Sequence, residues 1–309
     1  MGDRDPKLES ALHSLDGLSV GDAFGEACLV DTRTLLARLA HRRLPDPPWA
    51  FSDDTVMGIS VVETLEEFGR IDQDALARRF GHKLRLDPWR GYGRVTHQIL
   101  TEIARGGDWR ALSAGAFDGV GSMGNGGAMR AGPIGAYFAG DLEMAAGQAR
   151  LAAAVTHAHL EGQAGAMAVA AAAAWAAGGG ADPDALFAQV LDVVPAGITR
   201  DTIERASSVG PGVEVLDVVS EIGNGLQTLA QDTVPFALWC VRHHLRDYES
   251  ALWTAAAALG DCDTLCAIVG SIVALVPGGA GVPPAWRARR EPLTAFTHLA
   301  VPPATRGAN

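Results

Sequence analysis

Two short acidic clusters carry the chemistry most worth following in this 309-residue chain: Ser52-Asp53-Asp54-Thr55 and, roughly 200 residues later, Asp261-Cys262-Asp263-Thr264. Each offers carboxylate and hydroxyl oxygens as ligands. Adjacent carboxylates repel unless a cation stands between them, and hard divalent ions such as Mg²⁺ and Mn²⁺ prefer oxygen ligands in octahedral geometry. Two such clusters facing each other could hold two ions roughly 3.5–4 Å apart, sharing a water and orienting substrate oxygens. The competing reading is that each cluster caps a helix, since Ser and Asp are favoured N-caps and acidic groups suit the positive end of the helix dipole. Capping does not by itself require paired aspartates with hydroxyl neighbours in two places. A terpene-synthase reading needs a third carboxylate beyond Asp53-Asp54, but Thr55, Val56 and Met57 follow.

Glycine-rich junctions come next: Gly17 to Gly25, Gly91 to Gly93, Gly121 to Gly127 and Gly223 to Gly225. They read as loops that let backbone approach a ligand. In Gly121 to Gly127, successive N–H groups can surround an anion without adding net positive charge, and Ser122 and Asn125 can donate further hydrogen bonds. An ordinary turn is the plainer alternative. His157 and His159 invite a zinc reading, but their spacing separates them by about 200° on a helix or puts them on opposite faces of a strand. His243 and His244 fit exposed or capping positions at a helix end.

Helices must position these groups, because strand patterns are nearly absent. Met57, Val61, Leu65 and Phe68 form one apolar stripe, and Asp72 to Phe80 reads as a helix with a wet face. Ala164 to Ala177 is small on every side, which predicts a thin central helix surrounded by others. Further helices are expected over Val234 to His244, with Pro235 in the first turn, and from about Thr264 to Leu275. The fold expected is all-α: one compact helical bundle spanning residues 1–309, with a loosely ordered tail from about residue 278.

The net charge of −11 and pI near 5.2 argue against nonspecific nucleic-acid binding, so any phosphate must be held by local groups. Cys28, Cys240, Cys262 and Cys266 lack the paired spacing of a zinc site and sit in hydrophobic segments. They read as reduced, buried thiols, which points to a cytoplasmic setting. Residues 1–10 lack a signal-peptide core, and Pro6 stands where a myristoylation motif needs Ser or Thr. Gly162 to Ala181 is long enough to span a bilayer, but its Ala and Gly gain little in lipid, so no membrane association is expected.

Taken in order, Gly17-Leu18-Ser19-Val20-Gly21-Asp22-Ala23-Phe24-Gly25, Ser52-Asp53-Asp54-Thr55, Arg90-Gly91-Tyr92-Gly93, Gly124-Asn125-Gly126-Gly127-Ala128-Met129-Arg130, Thr156-His157-Ala158-His159 and Asp261-Cys262-Asp263-Thr264 resemble the motifs of the ADP-ribosylglycohydrolase family. The resemblance implies an all-helical compact orthogonal bundle with a dinuclear Mg²⁺ or Mn²⁺ centre in a cleft for ADP-ribose. It assigns Ser52, Asp53, Asp54, Asp261, Asp263 and Thr264 as metal ligands; Ser52 and Cys262 stand where many members carry Thr. It also implies that Gly121, Ser122, Met123, Gly124, Asn125 and Gly126 form a pyrophosphate loop and that His157 contacts the ligand, with His159 and Arg130 structural.

The implied reaction is hydrolysis at the distal ribose of an ADP-ribosylated protein, a polymer or a small O-linked conjugate. The oxocarbenium-like transition state gains from groups that hold the 2″ and 3″ hydroxyls and deliver water to one face. Glu26 is the candidate for proton transfer, with Asp22 or a metal-ligating aspartate such as Asp54 as alternatives. Asp22 also reads as an N-cap. Asn224 and the stretch Gln227 to Thr233 are expected on the adenosine side, and Phe236 and Trp239 in the core. An ADP-ribose-binding module without hydrolytic activity is the alternative function, and a purely structural helical protein a third. The scissile linkage is left open.

Overall fold

Aspartate side chains start seven of the described α-helices. The side chains of Asp5, Asp31, Asp72, Asp108, Asp141, Asp182 and Asp247 each accept a hydrogen bond from a backbone N–H of the turn that follows, which satisfies an otherwise orphaned donor. Part of the acidic charge is therefore capping chemistry.

The computed structural model describes residues 5–299. α1 (Pro6–Glu26), α2 (Thr32–His41), α3 (Asp53–Phe68), α4 (Gln73–Leu86), α5 (Arg94–Ala104) and α6 (Trp109–Gly115) precede a 3-10 turn at Asn125–Gly127. After it come α7 (Gly132–Tyr137), α8 (Leu142–Ala154), α9 (Leu160–Ala177), α10 (Pro183–Val193), α11 (Ile198–Ser208), α12 (Val215–Ile222), α13 (Ala230–His243), α14 (Tyr248–Ala256), α15 (Cys262–Val273) and the short α16 (Pro284–Arg287). The fold is all-α, as the periodicity indicates. Only two isolated β-bridges, Trp49 with Arg290 and Gly124 with Leu229, occur among the described residues. No helix among them is long and apolar enough to cross a membrane.

The alanine-rich α9 is the predicted thin central helix, buried from Gly162 through Ala176 except at Met167. Its small side chains admit α7 so closely that a Cβ at Gly135 would collide with the Ala170 carbonyl. In α3, Met57, Val61 and Leu65 are buried as the stripe requires, while Phe68 at the helix end is exposed. The Pro235 helix begins earlier than expected, at Ala230; proline then lies inside it and deprives the Gln231 carbonyl of its helical donor.

Two expectations are overturned. Gly17 to Gly25 is not a ligand loop but the buried second half of α1. Gly17, Gly21 and Gly25 repeat every four residues, so they share one helix face. A Cβ on any of them would strike the backbone carbonyl of Gly270, Cys266 or Cys262 respectively. The two helices thus run antiparallel with backbones in contact, which is what glycine supplied here.

Nor is the tail loose over residues 278–299; residues 300–309 lie outside the described residues. Trp286 is buried among Phe24, Trp49, Tyr248 and Trp253. Arg287 pairs with Asp16, Arg290 Nη1 donates to Ser19 Oγ at 2.6 Å, and Glu291 N–H donates to the Trp49 carbonyl at 2.9 Å. One aromatic anchor outweighs the Pro- and Gly-rich composition around it.

Gly21→Val should lower stability by about 3 kcal/mol, because the added atoms meet backbone that cannot rotate away. Gly147→Ala, at a helical position with open space around it, should instead raise stability by about 0.5–1 kcal/mol. Thermal melts of both read the contrast; a Gly21→Val protein that melts with the wild type would mean the helices are free to part.

Candidate active site

The crossing of α1 and α15 brings the last turn of α1 against the first turn of α15, and α3 enters from the side. Asp22, fully buried in α1, accepts hydrogen bonds from Ser52 N and Thr55 N at 3.0 Å and from Thr55 Oγ1 at 2.5 Å. It therefore caps α3 from a neighbouring helix. Ser52 Oγ accepts from Asp54 N at 3.1 Å, the local cap, and the Arg90 carbonyl accepts from Asp53 N at 2.6 Å. With Ser52, Asp22 and Arg90 doing the capping, the Asp53 and Asp54 carboxylates are left for other work. Asp261 differs from the capping aspartates in the same way: it precedes α15, yet its side chain makes no cap hydrogen bond and instead accepts from Asn125 Nδ2 at 2.6 Å.

Asp53, Asp54, Asp261, Asp263 and Thr264 all line one cleft of about 480 Å³. Asp54 Oδ2 and Asp263 Oδ1 are buried with no hydrogen-bond partner, a costly arrangement for carboxylates. Burial, and then repulsion from neighbouring aspartates, raises the carboxyls of Asp22, Asp53, Asp54 and Asp261. Asp22 is pushed up to about 7 by burial and by the charge of Asp263, against hydrogen bonds from Thr55 and Ser52. Asp261 is pushed up to about 7 by burial and again by Asp263. Asp53 and Asp54 lie well above the usual carboxylate range, with burial the largest cause and neighbouring aspartates next. Arg130 is the cation that offsets Asp53, and burial draws its own pKa down to about 9.

These oxygens could hold divalent ions. As the side chains stand, no three or more His, Cys, Asp or Glu groups among the described residues form a ready-made cage. Mg²⁺ does not require one, since it keeps several waters and commonly takes one or two carboxylates with substrate oxygens. The orphaned Asp54 and Asp263 oxygens, with Thr264 on the same lining, fit that demand.

The other wall is the glycine segment. Gly121, Ser122, Met123, Gly124, Asn125, Gly126 and His157 all line the cleft. The N–H groups of Ser122 and Met123 make no hydrogen bond among the described residues. Gly121, at φ +81°, lies so close to the Ala158–His159 backbone that a side chain there would collide. His157 is buried and its pKa falls to about 3, through desolvation first and Arg130 second, so the ring is neutral.

Several expectations change in detail. Asn125 does not point its amide at an anion; Nδ2 bridges Asp261 and Thr233 Oγ1 (2.9 Å) and ties the loop to the carboxylate floor. Asn224 lies away from the cleft, donating to the Ala258 carbonyl and accepting Asp261 N–H on its own carbonyl. Of Gln227 to Thr233, only Thr228 and Leu229 reach the cleft. Ser52 lies beneath it rather than on its lining. Glu26 is exposed at the end of α1, off the lining, with its carboxyl raised by partial desolvation and by Asp263. His159 caps α9, its Nδ1 accepting from Glu161 N at 3.0 Å. His243 Nδ1–H donates to the Trp239 carbonyl at 2.8 Å, and His244 Nε2 pairs with Thr254 Oγ1 at 2.8 Å. Phe236 and Trp239 are core.

Phe117, Val120 and the Arg94–Thr96 stretch also line the cleft and were missed. Phe117 is 53% exposed and adopts φ +52°, a combination uncommon for an aromatic residue. No periodicity signals it.

Two aspartate-bearing helix starts and one glycine loop thus share a single cleft in an all-α fold, with carboxylate oxygens on one side and unpaired amides on the other. A family model described as ADP-ribosylglycohydrolase matches residues 3–305, and the chain belongs to that family of hydrolases. It is 30% identical to mouse ADP-ribosylhydrolase ARH3 across 88% of this chain and 85% of that protein, and 29% identical to the human ARH3 across 88% and 86%. An uncharacterized protein of Archaeoglobus fulgidus is 29% identical across 87% and 88%. Among solved structures, one described as an "ADP-ribosylglycohydrolase-related protein complex" aligns with a TM-score of 0.64 at 25% identity, covering 93% of each chain.

The raised carboxylates carry a pH signature. With folded values of about 7 against an ordinary 3.8, Asp22 and Asp261 hold protons in the folded state that the unfolded chain has already released. Their contribution is full below about pH 4 and is lost as pH rises through about 7. In chelator-containing buffer the melting temperature should fall between about pH 5 and about pH 8, and Asp22→Asn should flatten that slope. A melting temperature that climbs over the same interval would contradict the assignment.

Proposed function

We propose that this protein hydrolyses the glycosidic bond at the distal ribose of ADP-ribose conjugates with the help of two divalent cations, Mg²⁺ or Mn²⁺. The observation that carries the reading is the orphaned pair, Asp54 Oδ2 and Asp263 Oδ1, buried at the floor of the cleft whose wall is the glycine loop. Ser52, Asp53, Asp54, Asp261, Asp263 and Thr264 would hold the ions. When bound, divalent ions supply Lewis acidity toward ribose hydroxyls and a water of lowered pKa.

The chain's own residues supply the rest. Amide N–H groups of Ser122 and Met123 receive the pyrophosphate, which lets an acidic protein bind an anion. Phe117 and Val120 give the adenine an apolar wall. Asn125 holds Asp261 in place, so the loop that seats phosphate and the floor that seats the ribose diol keep a fixed spacing, as an oriented attack demands. Glu26, beside Asp263 and with a raised carboxyl, is suited to exchange a proton with the leaving atom; Asp54 is the other candidate. The family and the ARH3 resemblance support ADP-ribose conjugates as substrates.

Incubating the protein with a panel of O-linked and N-linked ADP-ribose conjugates, with Mg²⁺, with Mn²⁺ and with chelator, should release free ADP-ribose from at least one conjugate in a metal-dependent way. Binding of ADP-ribose with no release from any conjugate would leave a reader module instead. Glu26→Gln should lower kcat by about 10²–10⁴-fold with ADP-ribose affinity retained; turnover within a fewfold of wild type would pass the role to Asp54.

A further inference from the structure

Arg130, Thr156 and His157 form a buried chain of hydrogen bonds behind the glycine loop. The Arg130 guanidinium is fully buried and lies 4.7 Å from the Phe80 ring centroid. Its Nη1 donates to the Gly126 carbonyl at 2.7 Å, and its Nη2 to the Ala152 carbonyl at 3.1 Å and to Thr156 Oγ1 at 2.8 Å. Thr156, buried as well, meets His157 Nδ1 at 2.7 Å.

Direction along this chain follows from donor and acceptor inventory. Arginine has no acceptor, so Thr156 Oγ1 accepts from it. If His157 Nδ1 also donated to Thr156, the buried hydroxyl hydrogen would have no acceptor, since no other partner for it exists among the described residues. The hydroxyl therefore donates to Nδ1, and in a neutral ring the proton sits on Nε2. That edge points at the loop. A Cβ on Gly124 or on Gly126 would stand 3.1 Å from Nε2, and one on Gly126 only 2.9 Å from Cε1. Both glycines are needed for the ring to reach the hollow, and no protein group hydrogen-bonds Nε2 among the described residues.

We propose that Thr156, held by Arg130, is a positioning residue that fixes His157 as a neutral Nε2–H donor aimed into the hollow of the glycine loop. The donor serves an acceptor-only ligand group, a phosphoryl oxygen of a nucleoside diphosphate; this last step rests on the pyrophosphate reading given above. Because the same guanidinium holds the Gly126 carbonyl, loop and imidazole keep one register. A carbonyl or hydroxyl ligand could accept the bond too, but the unpaired amides of Ser122 and Met123 alongside favour an anion.

Nitrogen–proton correlation spectra of the ¹⁵N-labelled, ligand-free protein test the relay directly. The expected His157 pattern is a protonated Nε2 and an Nδ1 shifted as a hydrogen-bond acceptor, with the Nε2 signal moving when ADP-ribose is added. In Thr156→Val the Nδ1 signal should move toward that of an unbonded acceptor, the ADP-ribose dissociation constant and KM should rise about tenfold with kcat within about twofold, and Thr156→Ser should restore all three. A wild-type proton on Nδ1, or a folded Thr156→Val protein with unchanged ADP-ribose affinity, would overturn the proposal; the wild-type spectrum decides even if the valine variant does not fold. A relay seen as described in a protein that fails to bind ADP-ribose would overturn the ligand reading while leaving the tautomer assignment intact.

Discussion

Backbone contact between α1 and α15 is the constraint from which the rest of the site follows. With Gly17, Gly21 and Gly25 on one face, α1 lies directly on the carbonyls of Cys262, Cys266 and Gly270. Ser14 Oγ and Tyr248 Oη fasten the far end, donating to the Ser271 and Gly17 carbonyls at 2.8 and 2.7 Å. A larger residue at the contact would hold the helices apart, and Asp22 and Glu26 would no longer face Asp263. Because Asp22 also caps α3, the same crossing sets where Asp53 and Asp54 begin. Two helix starts far apart in sequence are thereby pinned to one helix end.

Gathering carboxylates in this way opposes folding in the absence of cations. The positive ends of α3 and α15 offset some of the repulsion, and Arg130 offsets more, but Asp54 and Asp263 still bury oxygens without partners. Such sites are stable because the surrounding contacts over-determine them. Here those contacts are the glycine crossing, the aromatic cluster around Trp286, and the Arg90 side chain, which lies over both Phe51 and Phe296 and is paired with Glu291. Strong packing at the base holds a floor that electrostatics alone would push apart.

Much of this was legible in the residues. Helical periodicity gave the fold class, and the alanine run gave α9, because burial on every side leaves a direct trace in composition. The aspartate clusters were readable as chemistry because they pair charges that repel. What escaped depended on partners far away in sequence. Glycine permits both a loop and a tight helix crossing, so Gly17 to Gly25 could not be assigned without knowing that α15 lay opposite. Asn125 and Asn224 turned inward because Asp261 and the α15 start stood within reach. Phe117 joined the cleft through a left-handed backbone that no pattern announces, and Trp286 ordered a segment whose local composition says otherwise.

The strap formed by Trp286 to Glu291 joins late chain to early chain: Arg290 reaches α1, and Glu291 clamps the loop that carries Arg90 and Gly91. Synthesis from the ribosome runs one way, so the loop beside Asp53 cannot be locked until the strap residues have emerged. Completion of the cleft thus waits on the strap, and a product stopped short of it would leave the loop beside Asp53 without its clamp.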